Sequence, residues 1–168
     1  MLNKPEALLK LIDNAFDGVV LGDGVSLHES EAIDMYEGAI GRAAAREPDE
    51  KHDWRKLVAD PELPRTCGVG GPIFMDAAGF AFHLPAYLTL AVLEAESPTN
   101  IDIFVNVLNR LTDLSEYGLE KFSLLSTPQK TCISIVLQFL KSKWKWIDQD
   151  IAGSIREYWT PNANLEIA

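Results

Sequence analysis

The stretch that most constrains the fold of this chain is Phe80-Ala-Phe-His-Leu-Pro-Ala-Tyr-Leu88, where aromatic and aliphatic side chains surround one histidine and one proline and no formal charge intrudes. A segment this uniformly apolar has no solvated face, which predicts the centre of a buried helical core. Pro85 predicts a kink or a restart there, because its ring removes a backbone donor and crowds the preceding turn. Asp76 stands where a cap for this core helix is expected.

A second anchor is Phe122-Ser-Leu-Leu-Ser-Thr-Pro-Gln129, in which an apolar run meets hydroxyl residues followed by proline, the signature of a helix start. The helix expected from Thr127 reaches about Lys143, with Ile133, Val136, Leu137 and Leu140 inward. Upstream, Pro5 opens a first helix to about Phe16, with Leu8, Leu11, Ile12, Ala15 and Phe16 as its apolar stripe and Gly18 as its end. The segment Gly18 to Val25 reads as a turn or short irregular strand. Ser26 and Glu29 form a capping-box pattern, predicting a second helix from about Leu27 to Arg46 with Ile33, Tyr36, Ile40 and Ala43 or Ala44 on its inner face. Gly38 and Gly41 weaken that helix or let another approach closely.

Residues Glu47 to Pro72 are charged at first and then punctuated by proline and glycine, which predicts a long connection with at most a short helix at Trp54 to Val58. Ile101 to Leu111 fits both a strand and a helix pattern; helix is preferred, with Thr99 and Asn100 as caps, because a lone strand would leave its backbone groups unpaired. A last helix begins at Asp148 or Asp150, carries Ile151, Ile155 and Tyr158 on one side and ends before Pro161, leaving a frayed tail to Ala168. The expected fold is mainly α: one compact domain over residues 1–168, a bundle of about six helices with one long loop between the second helix and the core helix.

A chain of 168 residues is long enough to bury about two thirds of the surface its unfolded form exposes, so no disulfide or metal staple is required. Cys67 and Cys132 lack the spacing of a metal or redox motif and are expected as reduced thiols. The N-terminus lacks a basic region leading into an apolar run, and the apolar residues around Phe74 to Val92 are interrupted by Asp76, His83 and Pro85. Both observations point to a cytoplasmic protein without a membrane span. Net charge is −10 and unevenly placed: residues 1–64 carry 14 acids against 7 bases, and residues 65–168 carry 11 against 8. Such a field repels nucleic acid and favours a basic partner. The lysines Lys121, Lys130, Lys141, Lys143 and Lys145, interleaved with Trp144 and Trp146, form a weak nucleic-acid pattern, which helix-dipole compensation explains equally well.

No motif assembles a reactive centre. His83 on its apolar helix reads as a hydrogen-bonded core histidine, placed to satisfy a carbonyl freed by Pro85. His28, Glu31 and Asp34 recur every third residue and, with Glu37, gather donors near one face, but a metal site needs ligands from more than one element. His52, Asp53, Trp54 and Arg55 form a polar and aromatic group beside the long loop, with Trp54 expected to anchor it. Gly68-Val-Gly-Gly71 lacks the Lys-Ser or Lys-Thr of a phosphate loop and reads as flexible. Ser123, Ser126 and Cys132 have no nucleophile elbow around them.

The succession Trp54-Arg-Lys-Leu57, Ala78-Gly-Phe80, Phe82-His-Leu-Pro-Ala-Tyr-Leu88 and Phe122-Ser-Leu-Leu-Ser-Thr-Pro-Gln129 resembles an uncharacterised bacterial family described only as a domain of unknown function. That resemblance implies a shared fold over most of the chain and brings no activity with it. The chain departs from the pattern in Ser126, inserted before Thr127-Pro128, and in the long connection from Glu47 to Pro72. Members are similar in size and acidity to the small immunity and antitoxin-like proteins of bacterial competition loci.

The function expected is therefore an acidic protein-binding module acting by stoichiometric association, as an immunity or regulatory protein does. Its expected partner is a basic protein, for example a toxin domain, met through Glu29, Glu31, Asp34, Tyr36, Glu37, Asp53, Trp54 and Arg55; no cofactor is expected. The alternative is a metal-dependent hydrolase or other small enzyme using His28, Glu31 and Asp34, or His83.

Overall fold

Pro5 occupies the first turn of α1 (Pro5–Ala15), where its missing N–H is one that no helix bonds, and Leu8 and Ile12 on the inner stripe are fully buried. The computed structural model describes residues 4–66, 71–95, 101–144 and 148–163. Expectations about Cys67, Gly68 to Gly70, the caps Thr99 and Asn100, Lys145, Trp146 and the tail from 164 lie outside the described residues. After α1 the chain forms α2 (Leu27–Asp34), α3 (Ala39–Arg46), a 3-10 turn (Trp54–Ala59), α4 (Glu62–Thr66), a second 3-10 turn (Gly71–Ile73) and α5 (Ala77–Leu93). Then come α6 (Ile101–Thr112), α7 (Glu116–Lys121), α8 (Thr127–Lys143) and α9 (Asp148–Ser154), which runs on into a π turn (Ile155–Trp159).

About 70% of the described residues are helical and none is in a strand, so Gly18 to Val25 is a set of turns. Counting the π turn as a helix of its own, there are ten helices among the described residues rather than about six. The excess has four sources: the expected second helix is two helices, the long connection from Glu47 to Pro72 contains α4 besides its 3-10 turn, α7 precedes α8, and the last helix runs on into the π turn. Polar side chains substitute there for missing apolar periodicity. Glu50 Oε1 accepts from the N–H groups of Lys51, His52 and Asp53 at 3.0, 2.8 and 3.1 Å, and Asp53 caps the turn by accepting from Arg55 N–H at 3.1 Å. The short α7, capped by Ser115, also escaped the periodicity reading.

Helix α5 is the centre of the core, packed against α1, α8 and the Trp54–Ala59 turn. Its cap is Asp76, whose Oδ1 accepts from Gly79 N–H at 2.8 Å and from Val25 N–H at 3.0 Å, tying the loop before α2 to the core helix. That approach is close: a Cβ on Gly79 would sit 2.3 Å from the Val25 carbonyl oxygen, so only glycine fits. Of the kink or restart expected at Pro85, the restart does not occur: α5 runs through it as one helix. An interior proline costs about 3 kcal/mol. Phe80, Phe82, Leu84, Tyr87 and Leu88 are all at most 2% exposed, and each such side chain contributes about 1.5–3 kcal/mol. Burial outweighs the local penalty.

Helix α8 starts as expected, and the cap is the additional Ser126: Gln129 N–H donates to its Oγ at 3.4 Å while Ser126 N–H donates to Gln129 Oε1 at 2.8 Å. Ile133, Val136, Leu137 and Leu140 are fully buried. At the far end of the core, Trp159 stacks near Phe122, with ring centroids 4.8 Å apart, and its Nε1 donates to the Leu111 carbonyl at 2.9 Å.

Candidate functional site

The acidic N-terminal half is organised around an elbow. Helix α2 ends in a Schellman motif, in which Glu37 N–H reaches the Ala32 carbonyl at 2.9 Å and Tyr36 N–H reaches the Ile33 carbonyl at 3.0 Å. The motif requires a left-handed residue, and Tyr36 takes that place with φ of 58°, the one non-glycine residue at positive φ among the described residues. Gly38 then caps α3, which starts in a new direction. One continuous helix to Arg46 is therefore overturned, and its expected inner face with it. Ile33 is partly buried, but Tyr36 is 95% exposed, Ile40 is 90% exposed, and Ala43 and Ala44 are exposed.

The reason lies on the opposite side of α3. Glu29, buried on α2, accepts from Arg42 Nη2 at 2.9 Å, from Arg46 Nη1 at 3.1 Å and from Ser26 N–H at 3.3 Å. Burial alone would push this carboxyl up, but the hydrogen bonds from Arg42, Ser26 and Arg46 outweigh it and hold the pKa below the ordinary value. Arg46 also donates to the carbonyls of Gly22, at 2.6 Å, and Gly24. Helix α3 has no buried residue and packs mainly on α2. It is thus held by its charges, with the arginines inward and the apolar residues outward, the reverse of ordinary amphipathic packing. The pairing of Arg42 and Arg46 with Glu29 is not readable from the sequence because a continuous helix would hold them about 20 and 26 Å along its axis from Glu29.

The other site residues fall into two groups. Asp34 and Glu37 lie at the elbow with Tyr36, and Glu37 covers Gly41 on the first turn of α3. Glu31 is engaged by Arg65 in a bidentate pair at 2.9 and 2.8 Å, and that pairing holds its pKa low. Asp53, Trp54 and Arg55 belong to the α1 end. Trp54 is buried and its Nε1 donates to the Phe16 carbonyl at 3.0 Å, so it anchors the loop as expected. Arg55 lies over its ring at 4.9 Å and pairs with Asp13 at 2.5 Å and Asp17 at 2.9 Å.

His28 does not converge with Glu31 and Asp34. Its Nδ1 pairs with Asp49 at 2.5 Å and its Nε2 faces Glu62 at 3.4 Å. Burial works to lower its pKa, but Asp49, seconded by Glu62, outweighs that and leaves it raised. Among the described residues no three histidine, cysteine or acidic side chains form a metal-holding group. Cys132 is a buried free thiol whose pKa burial pushes up to about 12, a protonated packing residue at neutral pH. Lys121 is buried too, with its Nζ donating to the carbonyls of Ile73, at 3.0 Å, and Met75, which removes it from any surface for phosphates.

His83 is wholly buried. Its Nδ1 donates to the Gly79 carbonyl at 2.7 Å rather than to Ala81, whose carbonyl Pro85 frees, and its Nε2 has no partner among the described residues. Burial lowers its pKa to about 4, against a partial opposing effect of the Gly79 hydrogen bond, so the ring is neutral at pH 7. The unfolded chain binds a proton on this residue more tightly than the folded one does. The stability that follows is complete above the unfolded value of 6.5 and is lost as pH falls toward about 4. Between about pH 7 and pH 5 the loss amounts to about 2 kcal/mol from this residue. Urea unfolding across that range should show the slope in the native chain and a flatter one in His83→Phe; equal slopes would disprove it.

No helix among the described residues is long and apolar enough to cross a membrane. Comparison with curated proteins and with solved structures finds no match. The resemblance carried by the Trp54, Phe80 to Leu88 and Phe122 to Gln129 motifs is borne out by a family model that spans residues 4–163. By that match the chain belongs to the Family of unknown function (DUF6714).

Proposed function

We propose that this protein is an acidic binding module that neutralises or regulates a basic protein partner by stoichiometric association, as the immunity protein of a toxin does. The observation that carries it is the disposition of charge in the N-terminal half. Five of the seven cations in residues 1–64 are engaged internally, Arg42 and Arg46 by Glu29, Arg55 by Asp13 and Asp17, Lys56 by Glu50 at 2.9 Å, and Lys51 Nζ by the carbonyls of Glu47 and Asp49, which leaves Lys4 and Lys10 exposed at α1. Asp34, Glu37 and Glu47 have no cationic partner among the described residues, and Glu37 and Glu47 are exposed. A surface of this kind accelerates encounter with a positively charged protein and repels nucleic acid.

The enzyme alternative has less support. His28 is committed to two carboxylates and His83 is sealed in the core. The test is capture of partners from the native host on the tagged full-length chain, followed by mass spectrometry. A single basic protein in stoichiometric amount, released as salt is raised, is the expected result. Recovery of no stoichiometric protein, or of an acidic one, defeats the proposal.

A further inference from the structure

Resting on that binding function, we infer that the outward face of α3 and the elbow before it, namely Met35, Tyr36 and Ile40, form the docking surface. Its occupant is a basic amphipathic segment of the partner, with apolar side chains seated on this face and Lys or Arg on its rim.

Three independent features converge here. The first is exposure: Met35 is 65% exposed, Tyr36 95% and Ile40 90%, although the fold has a core into which a conventional amphipathic helix would turn such residues. The second is backbone strain. A tyrosine in the left-handed region carries a steric strain that glycine or asparagine would not, and the ring gains no burial in return. Retaining an aromatic there, aimed at solvent, serves a contact outside the chain.

The third is the charge around the patch, which selects the occupant. Glu37 lies over Gly41 beside Ile40, Asp34 and Glu47 lie before and after, and the two arginines of α3 are turned inward onto Glu29. The rim is therefore acidic. A second copy of this chain would bring the same carboxylates against one another across an isologous contact, whereas a partner with an apolar face flanked by cations meets both parts of the surface. Helix-in-groove recognition uses this combination of apolar anchors and charged flanks.

The experiment titrates the isotope-labelled full chain with two short helical peptides, one carrying leucine and lysine faces and the other leucine and glutamate faces. Amide shifts and affinities are read for the native chain, Ile40→Ser, Tyr36→Gly and, as a control at an exposed leucine away from the elbow, Leu124→Ser. The leucine and lysine peptide is expected to shift amides from Met35 to Glu47, to bind more weakly as salt rises, and to lose about tenfold or more in affinity in Ile40→Ser and Tyr36→Gly but not in Leu124→Ser. The glutamate peptide should not bind. Tyr36→Gly should at the same time melt about 2–4 °C higher, because it relieves the left-handed strain. A gain in stability with a loss of binding is a pair of effects that a merely structural residue would not produce.

Binding that maps elsewhere, or that ignores both substitutions, overturns the docking surface and leaves the acidic-module function standing. Equal binding of the glutamate peptide, or a dimer of the native chain that Ile40→Ser dissociates, overturns the basic occupant. If neither peptide binds, the surface is overturned, and partner capture decides separately whether the binding function falls with it.

Discussion

Glu29→Ala should release α3 from the body of the protein, at a cost of about 3–5 kcal/mol in the free energy of holding it. The carboxylate accepts from both Arg42 and Arg46, its side chain is only 11% exposed, and α3 has no buried apolar residue to hold it once those bonds are gone. Removing the anion also leaves Arg46 facing carbonyls alone. Because the clamp is local, the clearest readout is amide exchange: residues 39–46 should lose their protection while α5 and α8 keep theirs. Glu29→Gln, which retains the shape and part of the hydrogen bonding, should fall between the two. Protection of α3 that survives Glu29→Ala would show that something other than charge holds this helix. The proposed docking surface would then lose its explanation for why the apolar residues face outward.

Trp159→Ala should cost a similar about 3–5 kcal/mol, here in global stability. Trp159 is the largest of the fully buried side chains. Its ring packs against Phe122 at 4.8 Å and edge-on to Tyr158 at 4.9 Å, and its Nε1 satisfies the Leu111 carbonyl. Truncation opens a cavity beside Phe122, where the π turn packs on α8, and leaves the buried Leu111 carbonyl without its donor. Trp159→Phe keeps most of the volume and should lose about 1–2 kcal/mol, chiefly the hydrogen bond. Urea unfolding of the two variants separates the contributions. A loss below about 1 kcal/mol in Trp159→Ala would mean that the site collapses freely. The π turn itself brings Thr160 N–H to the Ile155 carbonyl at 2.8 Å, and the aromatic pair Tyr158 and Trp159 lies within it. The periodicity of Ile151, Ile155 and Tyr158 showed the apolar side of this helix but not the wider turn that lets Trp159 enter the core.

These two residues mark the difference between what was legible along the chain and what was not. Trp159 lies in a segment whose helical state and apolar side were readable from a few neighbours. The clamp at Glu29 was not readable, because its partners lie 13 and 17 residues away and meet it only after the chain has folded back at Tyr36. A tyrosine carries no signal for a left-handed turn. The spacing of Ile33, Tyr36 and Ile40 satisfied a helical repeat across a break that repeat could not show. Trp54 and Asp53 are adjacent in sequence, which suggests one contact region, yet one is buried on the Phe16 carbonyl and the other caps a 3-10 turn. Short elements such as α7 and the Trp54–Ala59 turn depend on single caps and carry too few residues for a period to emerge.

What the chain determined by itself was whatever depends on near neighbours: helix starts at Pro5, Asp76 and Thr127, the buried runs of α5 and α8, the acidic excess of the first 64 residues and the family to which these motifs belong. Tertiary structure alone decided that α5 passes through Pro85 and that α3 turns its arginines inward and its apolar residues out. Each of those outcomes compares a local preference with a larger energy supplied by a distant part of the chain. Burial outweighs a proline in one case, and a buried carboxylate outweighs a hydrophobic face in the other.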